Sequence, residues 1–327
     1  MPPTPPPFDP ELAAVLDVMK EFLTPGLALD EIDGLRNGPA AAALAEIDLT
    51  MDGAFDVESR TVPGPEDAPA ISLLICRPTT PAPAHPRPLL YYVHGGGMVI
   101  GDYRSGMPVP LAWAKELDAV VVSVDYRLAP EHRYPAQIED VYAGLVWTAD
   151  HAAELGADAG RIVISGTSAG GGLAAALALL TRDRQGPHVI GQLLMGPMLD
   201  DRNDTPSAHQ MTGVGIWDRT ANETGWTALL GPARGGPDVS PYAAPARAED
   251  LTGLPPTFLD VASAETFRDE VVTYASRIWQ AGGTAELHVW PGGFHSFAGF
   301  APQARLSRSA LAAQLDWLRR LLGDSRG

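Results

Sequence analysis

Near the start of the chain, over residues 11–35, the apolar positions recur at helical spacing. Within residues 11–23 they fall at Leu12, Val15, Leu16, Met19 and Phe22, and residues 27–35 repeat the pattern over a shorter span. The period then changes. Extended apolar runs at residues 70–76, 88–93, 119–124, 161–164, 189–195, 257–261 and 285–290 read as strands, most of them hydrophobic on both faces, and residues 57–62 read as a weaker eighth. Helix-like stretches lie between them at residues 111–117, 136–155, 170–181, 269–281 and 303–322. Such alternation predicts the α/β class, with a mostly parallel, doubly wound sheet covered by helices on both sides.

One stretch breaks the alternation. Residues 199–254 are rich in Asp, Pro, Gly and Trp with only broken helical periodicity, and so long an excursion in a compact domain reads as a lid or binding insertion. It is expected to pack with the helices of residues 1–45. A single domain over residues 1–327 is therefore predicted, with a cap drawn from residues 1–45 and roughly 199–254.

Composition narrows the function classes. A net charge of −17 argues against a nucleic-acid partner, because phosphate binding relies on clustered Lys and Arg. No apolar run approaches the 18 or so residues of a membrane span. The start, MPPTPPPFDP, lacks the basic and apolar regions of a secretory signal, so a cytoplasmic protein is expected. The single cysteine, Cys76, sits in an apolar strand and reads as a buried, inert thiol. Asp200, Asp201 and Asp204 cluster without His or Cys at ligand spacing, so they read as a solvated loop and no metal is expected.

The chemistry concentrates at turns. The strand at 161–164 runs into Ser165-Gly166-Thr167-Ser168-Ala169-Gly170 and then a helix, the context that gives Gly-x-Ser-x-Gly its meaning. In that turn Ser168 Oγ is exposed at a helix N-terminus, where free amides favour developing negative charge. No Lys-Ser/Thr closes the segment, which excludes a phosphate-binding loop. Serine needs a base. Among eight histidines, His295 alone follows a strand and a Pro-Gly-Gly turn that place it at the carboxyl edge of the sheet, where open α/β sheets bind ligands. An acid should follow the strand at 257–261, leaving Asp260, Glu265, Asp269 and Glu270; Glu265 has the best position because Asp260 lies inside the strand and the other two begin a helix. Gly95, Gly96 and Gly97 follow the strand at 88–93 and offer bare amides to an oxyanion, with His94 holding the loop.

Taken with "DYRLAPEHRYPA" (125–136), "SPYAAP" (240–245), "FRDE" (267–270) and "GGFHSF" (292–297), these motifs resemble the bacterial hormone-sensitive-lipase-like esterases of the α/β-hydrolase fold. The resemblance implies an eight-stranded sheet. It also implies Ser168 as nucleophile, His295 as base, an oxyanion hole from the amides of Gly96, Gly97 and Ala169, and a small-molecule ester as substrate with no cofactor. Two departures stand out. Glu265 occupies the place of the family's usual aspartate, and Met98 replaces the aromatic residue after the glycines, which suggests an adaptable substrate pocket. The resemblance further implies a homodimer through residues 285–290 and the last helix, whose stripe of Leu306, Ala310, Leu315, Leu318 and Leu322 core packing explains equally well. A non-catalytic receptor on the same fold is the rival, and His295 weighs against it. An amidase or lactonase would share the acyl-enzyme chemistry.

Overall fold

A computed structural model describes residues 3–19 and 25–323. Among these, eight strands form one sheet: β1 Phe55–Val62, β2 Ile71–Pro78, β3 Arg87–Val93, β4 Val120–Asp125, β5 Ala157–Thr167, β6 Val189–Met195, β7 Thr257–Ala262 and β8 Ala285–Trp290. The helices are α1 Pro10–Met19, α2 Ile32–Arg36, α3 Pro39–Ala45, α4 Pro108–Leu117, α5 Ala136–Asp150, α6 Ala169–Arg184, α7 Pro206–Gln210, α8 Arg219–Leu230, α9 Arg268–Gln280, α10 Phe297–Phe300 and α11 Arg305–Leu322. Strand order is β1-β2-β4-β3-β5-β6-β7-β8, with β2 antiparallel to both neighbours and every other pairing parallel.

The continuous apolar runs are resolved by the pleat. Alternate residues of the strands face opposite sides. Leu73, Ile75, Leu89, Tyr91, Val93, Val122 and Ile164 join α5, α6 and α9 in one core. Leu74, Cys76, Leu90, Tyr92, Val121 and Val163 meet α4 and α11 in the other. Cys76 is wholly buried, and burial pushes its thiol up to about 12. The α11 stripe is covered within the chain: Ala310 and Leu318 are buried, and Leu306, Leu315 and Leu322 pack part-buried against the cores.

Several boundaries differ from those expected. The strand at 161–164 extends to Ala157–Thr167, because β5 pairs with β3 from Ala157 to Gly166 and with β6 from Ile162 to Thr167, each through a register shift. The helix expected over 136–155 stops at Asp150, where the His151 ring stacks on Trp147 and its Nδ1 bonds the Trp147 carbonyl. Helix α3, Pro39–Ala45, carries no apolar periodicity that marked it in advance. Strand β8 is half-exposed along its length rather than buried on both faces, since it forms a sheet edge. Phe22, part of the first helical pattern, lies outside the described residues.

The excursion at 199–254 contains α7, α8 and two short 3-10 turns. It is tied to the first part of the chain: Thr224 Oγ1 donates to the Leu27 carbonyl at 2.6 Å, and Gln210 Nε2 to that of Thr4 at 3.0 Å. Helix α1 packs Leu12 and Leu16 onto Phe294 and Phe297, on either side of His295. The aspartates at the start of the excursion correct one expectation. Asp201 is fully buried and Asp200 nearly so, because each is paired with an arginine. Arg247 grips Asp201 through two bonds of 2.7 and 3.0 Å, and Arg202 grips Asp200 at 2.7 and 2.6 Å. These are structural ion pairs, not a solvated loop; only Asp204, bonded to His209, is exposed.

Candidate active site

Parallel pairing aligns the carboxyl ends of the central strands. Val93 of β3 stands opposite Gly166 of β5, Thr167 opposite Met195 of β6, Met195 opposite Asp260 of β7, and Ala262 of β7 opposite Trp290 of β8. Whatever follows these strands emerges on one edge. His94, Ser168, Glu265 and His295 all do.

Ser168 sits at φ 59°, ψ −123° between β5 and α6. A non-glycine residue there is strained by about 1–3 kcal/mol, and persists only where its surroundings over-determine it. Three backbone hydrogen bonds do so: Ser168 N–H donates to Met195 O at 2.8 Å, and Ser168 O accepts from Met198 N–H and Gly172 N–H, each at 3.0 Å. Strand and helix approach so closely that a Cβ on Gly166 would strike the Gly170 carbonyl, and one on Gly170 would strike those of Val93 and His94.

The serine hydroxyl meets an imidazole. His295 Nε2 lies 2.9 Å from Ser168 Oγ, and its Nδ1 lies 2.8 Å from Glu265 Oε1. The other carboxylate oxygen of Glu265 accepts the Ala262 amide at 2.8 Å, which fixes the carboxylate plane. A carboxylate can only accept, so the Nδ1 proton goes to Glu265 and Nε2 keeps a lone pair for the serine hydroxyl. All three side chains are buried, Ser168 at 5%, Glu265 at 3% and His295 at 6% exposure, so bulk water screens the row little. Phe267 meets the imidazole edge-on, 5.1 Å between centroids.

The competing acids are engaged elsewhere. Asp260 Oδ2 accepts from Gln314 Nε2 at 2.7 Å and Trp290 Nε1 at 3.2 Å, and burial pushes its carboxyl up to about 6. Asp269 accepts the Ser207 amide, and Glu270, which burial pushes well above the ordinary range, accepts that of Leu199.

Gly96 and Gly97 have φ of 115° and 61°, which side chains rarely adopt. Among the described residues no hydrogen bond within the chain engages the amides of Gly96, Gly97 or Ala169. His94 holds this loop: its Nδ1 bonds Gly95 O at 2.7 Å, its ring stacks on Tyr126, and the Tyr126 hydroxyl donates to His94 O at 2.9 Å. Met98 is buried in the main core, and its carbonyl accepts the Ala129 amide. Two site neighbours escaped sequence reasoning. Thr266 donates its hydroxyl to Trp217 O at 2.7 Å, and the Trp217 ring abuts Gly97. Two tryptophans, Trp217 and Trp226, in a Gly- and Asp-rich excursion were the available signal. Among the described residues no cluster of metal-ligating side chains occurs, and no helix is long and apolar enough to cross a membrane.

A family model described as alpha/beta hydrolase fold matches residues 90–299. The chain is 35% identical over 300 residues to Esterase LipI of Mycobacterium tuberculosis, covering 90% of this chain and 89% of that one. It is 39% identical over 241 residues to Carboxylesterase NlhH of the same organism, covering 72% of this chain and 74% of the other. Among solved structures, Bacterial Heroin Esterase superposes with a TM-score of 0.88 at 39% identity, covering 96% of this chain and 98% of that chain. Extensive likeness along the chain thus coincides with a serine, an imidazole and a carboxylate in one hydrogen-bonded row, and the chain belongs to the hormone-sensitive-lipase-like esterases of the α/β-hydrolase fold.

Proposed function

We propose that this carboxylic ester hydrolase cleaves esters of short to medium acyl chains in two steps, with Ser168 as nucleophile, His295 as general base and acid, and Glu265 as the imidazole's partner. The observation that carries the reading is the unbroken row from Glu265 Oε1 through His295 to Ser168 Oγ, at 2.8 and 2.9 Å. His295 Nε2 takes the hydroxyl proton as Ser168 Oγ attacks the ester carbon, and Glu265 stabilises the imidazolium that forms. The resulting oxyanion is met by the amides of Gly96, Gly97 and Ala169, preorganised donors of which each is worth about 3 kcal/mol in reactions of this kind. The imidazolium returns its proton to the departing alcohol. A water molecule then repeats the sequence on the acyl-enzyme, and the acid is released.

The excursion at 199–254 and the N-terminal helices form the cap over the pocket in this reading. Their packing around the His295 loop supports a confined substrate site rather than an open surface for emulsified lipid. Met98 acts from behind the glycines, through packing.

The test is hydrolysis of p-nitrophenyl butyrate by the purified chain, with covalent capture by a phosphonate ester. Turnover with the phosphonate adduct on the peptide carrying Ser168 is expected. Undiminished hydrolysis by Ser168→Ala, or an adduct on another residue, would overturn the assignment.

A further inference from the structure

Trp217 stands just ahead of α8, far along the chain from the glycine loop, yet its indole occupies space that two glycines leave open. A Cβ on Gly97 would fall within the envelope of Trp217 Cη2 and Cζ2. A Cβ on Gly225 of α8 would stand 3.3 Å from Trp217 Cζ2, 3.0 Å from the Gly97 carbonyl and 3.6 Å from Met198 Cε. The ring is thus slotted between the oxyanion glycine and α8, and the residue is part-buried.

Its orientation is fixed by polar groups that do little else. Trp217 Nε1–H donates to Asn222 Oδ1 at 3.3 Å, Asn222 Nδ2 to Asn203 Oδ1 at 2.9 Å, and Asn203 Nδ2 to the Arg219 carbonyl at 2.9 Å. Both asparagines are buried, where an unmet amide is costly and a fully met one specifies a single arrangement. The Trp217 carbonyl accepts from Thr266 Oγ1, beside Glu265, and Asp218 caps α8 through the Ala221 amide at 2.8 Å. Backbone and ring are therefore anchored to both halves of the candidate site.

We infer that Trp217 is the residue that sets the size limit on the acyl group. This rests on the proposed reading of Ser168 and His295. In that reading the alcohol leaves with a proton from His295 Nε2, so it occupies the imidazole side of Ser168. With the carbonyl oxygen held by the glycine amides, the acyl chain takes the remaining direction, away from the imidazole. Trp217 lies against Gly97 and Gly225, while the ring packed on His295 is Phe267. A rigid indole beside the donor glycine blocks bulk at that end of the substrate and leaves the alcohol free to vary.

The experiment compares the full chain with Trp217→Ala and Trp217→Phe on p-nitrophenyl acetate, butyrate and octanoate, and in parallel on acetate esters of small and large alcohols. For Trp217→Ala the octanoate-to-acetate ratio of kcat/KM should rise by about tenfold or more, the scale of a few methylenes in an apolar pocket. The alcohol ranking should hold within about twofold, on the same principle that unaltered contacts do not discriminate. Trp217→Phe, which keeps most of the packing, should shift the acyl ratio in the same direction by less and decides the matter if the alanine variant does not fold. An unmoved acyl ratio, or a shift in the alcohol ranking instead, overturns the inference. Activity that survives Ser168→Ala defeats the underlying mechanism, whereas Ser168-dependent activity with a fixed acyl profile defeats only the role of Trp217.

Discussion

His94 and His295 both stand beyond the carboxyl ends of central or edge strands, both are buried, and both rings touch an aromatic neighbour. They differ in what faces each nitrogen. His94 offers Nδ1 to a neutral carbonyl and leaves Nε2 buried with no hydrogen-bond partner among the described residues, and burial pushes it down to about 4. His295 has a carboxylate at Nδ1 and a hydroxyl at Nε2. A carbonyl orients an imidazole; a carboxylate can also balance the positive charge that proton transfer leaves on the ring. Position at the sheet edge is common to both rings; what separates them is the group behind each ring.

The sharpest way to break this comparison is His295→Ala, which should lower kcat by about six orders of magnitude, as for members of a triad that act as a unit. Steady-state kinetics on p-nitrophenyl butyrate measures it, and a loss under a hundredfold would place the base elsewhere. Glu265→Gln removes the charge behind the ring while keeping its shape, and about four orders are expected from disturbing the tautomer. Asp269→Asn, which alters a carboxylate bonded to Ser207, should cost much less in the same assay.

The pH dependence of stability sharpens the comparison further. His94 has a folded pKa of about 4 against an ordinary 6.5, so as pH falls below 6.5 the unfolded chain binds a proton that the folded chain refuses. Stability is lost across that window, by about 2 kcal/mol at pH 5. His94→Asn, which can still donate to Gly95 O, should shrink the fall in Tm between pH 7 and pH 5 by about 4 °C. Asp260 acts in the opposite sense. Its folded pKa of about 6 lies above the ordinary 3.8, so its contribution is present at low pH and is lost as pH rises through 6. The amount is about 1 kcal/mol between pH 5 and 7. Asp260→Asn should therefore deepen the fall in Tm on acidification by about 2 °C. Calorimetry of both variants at the two pH values checks the signs.

Much of this was legible in the chain because it is local. A buried strand announces itself through consecutive apolar residues, and Ser168 through glycines two positions to either side. His295 was legible from a strand and a turn immediately before it, and Glu265 from its place after β7. What stayed hidden depends on partners distant in sequence. Asp201 looked solvated because Arg247 lies 46 positions away. Nothing local marks Trp217, because its slot is made by Gly97 and Gly225, and the backbone brace on Ser168 from Met195 and Met198 involves no side-chain pattern at all.

Helix α1 lies on the loop that carries His295: the Asp9 amide bonds the Gly292 carbonyl at 2.9 Å, and Glu11 accepts the Arg305 amide at 2.9 Å. During synthesis the nucleophile turn and the glycine loop leave the ribosome more than a hundred residues before the imidazole does. Until the last strands are made, α1 has no seat and Ser168 lacks the imidazole that faces it in the finished fold. On the proposed reading, a translation product interrupted before residue 295 is therefore inert toward esters.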